Sequence, residues 1–126
     1  MLGRTLLVGA GGFLGSAARY LLQMLVYEFL PPDFPYATFF INVSGCFAIG
    51  FLGVMGQERF LIGPMTRLLL MVGILGGYTT FSSFGYETMA LLREGSGLLA
   101  LVNVAGQVVL GLAAVWSGAV LARIVL

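Results

Sequence analysis

Residues 73–84 read Gly73-Ile74-Leu75-Gly76-Gly77-Tyr78-Thr79-Thr80-Phe81-Ser82-Ser83-Phe84, in the middle of a hydrophobic span running over 64–92. Paired glycines followed by two β-branched threonines weaken a helix at that point. A span of this length is read as crossing a bilayer, where an unsatisfied carbonyl costs several kcal/mol. The carbonyls released at the weak point need partners, and a bound cation, a neighbouring helix or a threonine hydroxyl could each serve. Two phenylalanines three residues apart then share one helix face, with Ser82 and Ser83 beside them.

The rest of the chain supports the same class. Of its 126 residues, 60% are hydrophobic and 9% charged, with a mean hydropathy of +1.04. A soluble domain is about 25% charged, so this chain cannot cover itself with polar surface. Six arginines and five acids, with no lysine, leave a net charge of +1 and no basic face for nucleic acid. The absence of histidine removes the usual metal ligand and neutral-pH proton carrier. Cys46, the only cysteine, has no intrachain disulfide partner and reads as a small buried hydrophobe. The N-terminal apolar run continues past Arg19, too long for a signal peptide, and reads as a retained membrane helix.

Roughly 20 apolar residues cross a bilayer. Four segments qualify, over 4–30, 36–56, 64–92 and 98–123, making one transmembrane domain with no residues left for a soluble one. The expected breaks are the Pro31–Pro35 segment, the stretch from Gln57-Glu58-Arg59 to Gly63-Pro64, and Arg93-Glu94-Gly95-Ser96-Gly97. The expected fold is therefore all-α, with four transmembrane helices and the third broken mid-membrane. Gly11 and Gly15 form a GxxxG pair, and Gly50, Gly53 and Gly56 recur at one-turn spacing, as close helix packing in lipid requires. Four helices enclose little space, so a homo-oligomer is expected. With an even number of spans, Arg4, Arg59, Arg67 and Arg123 share the side of both termini, a small bias toward placing the termini in the cytoplasm.

Polar side chains inside lipid are costly and mark functional candidates. Here they are Arg19, Asn42, Glu87, Asn103 and Gln107, with hydroxyls at Thr38, Ser44, Thr79, Thr80, Ser82, Ser83 and Ser117. An asparagine N–H, serine O–H groups and the positive edges of phenylalanine rings make a donor-rich path without a fixed positive site. Such a path suits an anion that sheds water yet must leave again. Arg19 either draws anions into a vestibule or snorkels as a helix anchor.

The Gly76–Phe84 run, Thr38 through Asn42, the Gly15-to-Arg19 step and Glu87 together resemble the small bacterial fluoride channels known as the Fluc or CrcB family. The resemblance covers nearly the whole chain and implies an antiparallel, dual-topology homodimer in the bacterial inner membrane, surrounded by lipid and passing fluoride through two separate pores. It implies a sodium ion at the centre of the dimer, held by the backbone carbonyls of Gly76 and Thr79. It assigns Phe81, Phe84 and Asn42 to the pore, Ser82, Ser83 and Thr38 to polar positions along it, and Arg19 and Glu87 to the family's embedded arginine and glutamate. Three features depart from the pattern: Ser83 replaces an expected threonine, Asn103 and Gln107 stand where some members carry tyrosine and serine, and the arginine bias leans toward one orientation.

The resulting expectation is passive export of cytoplasmic fluoride, with no ATP-binding motif and no enzyme chemistry. A non-conducting helper subunit would explain the small size and glycine content, but not the broken helix beside a Phe-Ser face. A proton-coupled multidrug exporter would need a mid-membrane glutamate in the first helix, where Arg19 stands instead.

Overall fold

The computed structural model describes residues 1–126, and all of its regular structure is helical. Helix α1 covers Leu2–Phe29, α2 covers Tyr36–Glu58, α3 covers 64–78, α4 covers Phe81–Arg93 and α5 covers Gly97–Val125. With α3 and α4 counted as one span, Pro64–Arg93, four spans are long and apolar enough to cross a membrane.

Local sequence explains most of the ends. Leu30 is extended ahead of the Pro31-Pro32 pair, which bars the helical region for the residue before a proline. Pro64 occupies the first turn of α3, where its missing N–H costs nothing. At the end of α4, Gly95 takes φ +77. Its N–H bonds Leu92 O at 3.1 Å while the Ser96 N–H bonds Leu91 O at 2.8 Å, closing a Schellman turn that needs a glycine.

Most boundaries lie within one or two residues of the sequence expectation, and the later end of α2 has a visible cause. Gln57 and Glu58, expected in the second break, instead continue α2 as a widened π turn over Val54–Glu58. The Arg59 N–H reaches back five residues to Val54 O at 2.9 Å. Glu58 is held there by Arg123 at the far end of α5, through Nη2 to Oε1 at 2.7 Å and Nε to Oε2 at 2.9 Å. The connection to α3 is then short, and Phe60 turns it with φ 54.

Glycines set the neighbours. A Cβ at Gly11 would lie 2.8 Å from Leu69 O and 2.9 Å from Gly73 Cα, and one at Gly15 would collide with Ile74 O. Helix α1 therefore lies directly on the backbone of α3. The α2–α5 contact is reciprocal: Gly50 faces the Val115 carbonyl, and Gly118 faces that of Phe47.

The third span changes partners along its length. Up to Tyr78 it runs beside α1; beyond Thr80 it packs on α5 and α2. Only 19 residues of the whole chain are buried. Most of the large apolar side chains thus face outward, as lipid or a second copy of the chain would require.

Candidate ion pathway at the helix break

Thr79 and Thr80 separate α3 from α4. Both are extended, at φ −81, ψ 158 and φ −152, ψ 119. Thr80 Oγ1 caps α4 by accepting from the Ser83 N–H at 3.2 Å, satisfying one of the donors that every helix start leaves open. The same hydroxyl lies 3.1 Å from Ser83 Oγ, to which it donates, and 3.4 Å from Ser82 Oγ.

Asn42, in the middle of α2, holds the break from the other side. Its Oδ1 accepts from the Thr80 N–H at 2.9 Å and its Nδ2 donates to Thr80 O at 3.0 Å. One amide side chain thus satisfies both polar groups of an irregular residue, which would otherwise be stranded inside an apolar bundle. Its second Nδ2 hydrogen goes to Gln107 Oε1 at 2.8 Å.

From there a line of polar groups runs along α5 and back to α4. Gln107 Nε2 donates to Asn103 Oδ1 at 2.9 Å, Asn103 Nδ2 donates to Thr88 Oγ1 at 3.0 Å, and Thr88 Oγ1 donates to Phe84 O at 2.7 Å. Asn103 is fully buried. Buried amides are tolerated here because each finds a partner in the next.

The break also frees two carbonyls. In a continuous helix the Thr80 N–H would serve Gly76 O and the Ser83 N–H would serve Thr79 O. These N–H groups instead go to Asn42 Oδ1 and Thr80 Oγ1. Gly76 is exposed and Thr79 half-buried, so both backbone oxygens lie near the surface of the single chain. Freed carbonyls are hard oxygen donors of the type that coordinates hard cations.

A cavity of about 370 Å³ opens at this point. Asn42, Gly76, Thr79, Phe81 and Phe84 line it, as do Thr80, Gln107 and Cys46. The Phe81 and Phe84 rings lie with centroids 5.6 Å apart and planes tilted by 39°, and Phe81 is 83% exposed. The remaining sequence-chosen residues lie elsewhere. Ser82 and Ser83 are on the first turn of α4 beside the Thr80 cap.

Thr38, buried in α2, donates to Glu87 Oε1 at 2.9 Å, while Glu87 Oε2 is buried without a partner. Glu87 lines a second cavity, of about 300 Å³, near the Pro31–Pro35 loop. Arg19 belongs to neither cavity and bonds to no side chain in the single chain. Sequence reading did not select Thr88 or Tyr78, whose hydroxyl lies 2.8 Å from Ser44 Oγ. Thr80 was a candidate hydroxyl there, and its capping role has a local signal: a threonine with a serine three residues later, at the start of a helical run. For Thr88 and Tyr78 the partner sits on another helix, and no local pattern points to it.

Comparison with known proteins decides the lineage. A family model described as CrcB-like protein, Camphor Resistance (CrcB), matches residues 6–119. The chain belongs to the CrcB-like family. Among its relatives, the fluoride-specific ion channel FluC of Solibacter usitatus is 53% identical over 118 residues, covering 94% of this chain and 97% of that one. The protein of the same name from Chlorobaculum tepidum is 49% identical over 119 residues, covering 94% of each chain. The one from Methylococcus capsulatus is 53% identical over 116 residues, which make up 92% of this chain but 51% of that protein. Four apolar spans and channel relatives together make this CrcB-like chain a multi-pass membrane protein.

Proposed function

We propose that this chain is a fluoride-selective channel that lets fluoride leave the cytoplasm passively across the bacterial inner membrane. The observation that carries the reading is the meeting of Asn42, Phe81 and Phe84 around one cavity at the helix break, in a chain whose relatives are named fluoride-specific channels. Ring edges and polar hydrogens can replace an anion's hydration without trapping it. Ser82, Ser83 and Glu87 extend the path along α4, with Thr38 of α2 beside Glu87, and Arg19 draws anions toward one end.

The working unit is an antiparallel homodimer of chains inserted in both orientations, with the break at mid-membrane. Gly76 O and Thr79 O, freed of their helical donors, fit a structural sodium ion. Two oxygens from one chain do not enclose a cation, whereas a second, inverted copy supplies the same two again. When bound, sodium would neutralise the carbonyl dipoles at the dimer centre. The outward-facing Phe81 would then sit against the partner rather than against lipid.

Fluoride reaches a cytoplasm as neutral HF from mildly acidic surroundings and is trapped there as the ion. A passive exit needs no ATP and no reaction chemistry. Expression in a fluoride-sensitive bacterium should restore growth at fluoride levels that stop the parent strain. Full-level, correctly inserted protein that gives no such rescue would overturn the reading.

A further inference from the structure

Four successive residues across the break are each held by a different neighbour. The backbone of Gly77 lies on that of Gly12 in α1, where a Cβ on Gly77 would collide with Gly12 O, and Ser16 Oγ reaches Gly77 O at 3.5 Å. The Tyr78 hydroxyl lies 2.8 Å from Ser44 Oγ in α2. Thr79 presents its Cγ2 methyl to Gly45, where any Cβ would collide with it. Thr80 is pinned by Asn42.

The Tyr78 bond has a fixed direction. A serine hydroxyl has a single hydrogen. That of Ser44 goes to Ile41 O, 3.0 Å away and one turn back in α2, so the Tyr78 hydroxyl must be the donor between them. A chain of two hydrogen bonds therefore runs from the end of α3 to the carbonyl of the fully buried Ile41.

The last turn of α3, Leu75–Tyr78, needs such a tie. Two of its four residues are glycines, and at Thr79 the backbone leaves the helix. Leu75 and the glycines have no polar side chain, so Tyr78 alone bonds this turn to a neighbour through a side chain of its own. Gly76 O and Thr79 O, the two oxygens without helical donors, stand on either side of Tyr78 along the chain. The Thr79 rotamer is set as well: Oγ1 donates to Leu75 O at 2.9 Å, which leaves the methyl in the space that Gly45 provides. Rotation of the turn about the axis of α3 would carry both oxygens with it, and the Tyr78–Ser44–Ile41 chain opposes that rotation.

We propose that Tyr78 is a positioning residue for the cation site: by donating to Ser44 it fixes the direction of Gly76 O and Thr79 O, and so how tightly the dimer centre holds sodium. The inference rests on the sodium reading above and adds two residues outside the ion pathway. Neither Tyr78 nor Ser44 lines the cavity of Asn42 or that of Glu87. Removing a group that orients the ligands of a metal typically weakens its binding roughly 10–100-fold.

The test uses the purified full chain in detergent, in N-methyl-D-glucamine chloride to which sodium chloride is added at constant ionic strength. The readout is the thermal unfolding midpoint. Binding to the folded state raises the midpoint once sodium exceeds its dissociation constant, so the concentration at which the rise begins reports affinity. Tyr78→Phe keeps the ring and removes the donor, and it should move that onset about tenfold or more toward higher sodium. Ser44→Ala, which removes the acceptor, should do the same. The double variant should go no further than either alone, because both changes break one bond. Loss of a merely structural bond would lower the midpoint equally with and without sodium and leave the onset in place.

An onset within about twofold of the unmodified chain in either single variant, or shifts that add in the double variant, defeats the inference and leaves the sodium reading intact. An unmodified chain whose midpoint is the same in both cations defeats the sodium reading, and this inference with it. Should Tyr78→Phe not fold, Ser44→Ala decides by the same criterion.

Discussion

Replacing Asn42 by alanine would strand the Thr80 N–H and Gln107 Oε1 at once. Each buried group left without a partner costs about 1–3 kcal/mol, so Asn42→Ala should lower the thermal unfolding midpoint in detergent clearly, as well as conduction. An unchanged midpoint would mean that the break is pinned by something else. Phe81→Ile and Phe84→Ile keep apolar bulk but remove the positive ring edge, and each should cut fluoride efflux roughly tenfold or more, about 1.4 kcal/mol or more on the barrier. Flux and selectivity equal to the unmodified protein would detach these rings from the pathway. At this scale the sequence disclosed the expensive residues but not their pairing. Asn42, Phe81 and Phe84 stand out because polar or paired aromatic groups in an apolar span are conspicuous. That Asn42 meets Thr80 and Gln107 depends on how α2, α4 and α5 are rotated against one another, which no local pattern encodes. Arg19 and Glu87 were equally conspicuous, and the single chain brings neither to the cavity of Asn42.

Between helices, the decisive contacts are backbone to backbone. Gly15 sits so close to Ile74 O that Gly15→Val cannot be absorbed by a rotamer change. Overpacking of a well-packed contact costs about 1–3 kcal/mol even where side chains can yield. Gly15→Val should therefore reduce the yield of folded protein in detergent, and a variant of normal yield and midpoint would contradict the α1–α3 contact. The cap of α4 is gentler. Thr80→Val keeps shape and removes the hydroxyl that accepts from Ser83 N–H, for a loss of about 1 kcal/mol measurable by thermal unfolding. Element positions were the most legible feature, because uninterrupted apolar runs leave little room for alternatives in lipid. The misplaced end of α2 is instructive: Gln57 and Glu58 look like a loop, yet a π turn and the Arg123 guanidinium keep them helical. An ion pair between residues 65 positions apart is invisible to any window along the chain.

At the level of the whole molecule, the single chain is conspicuously unfinished. Phe81 is 83% exposed, and Gly76 O and Thr79 O have lost their helical donors. The inverted second copy proposed above would account for both features, and four short helices alone enclose little space. If sodium completes that centre, replacing it throughout purification by a bulky organic cation should weaken the dimer and lower its unfolding midpoint, and restoring sodium should reverse the loss. Equal stability in both cations would argue against a structural ion at Gly76 and Thr79.

The central claim, that this chain is by itself a selective path for fluoride, is tested most directly by anion efflux from liposomes containing only the purified protein. The account predicts rapid loss of fluoride and negligible loss of chloride from matched vesicles. Well-folded protein that releases no fluoride, or releases both anions alike, would contradict it.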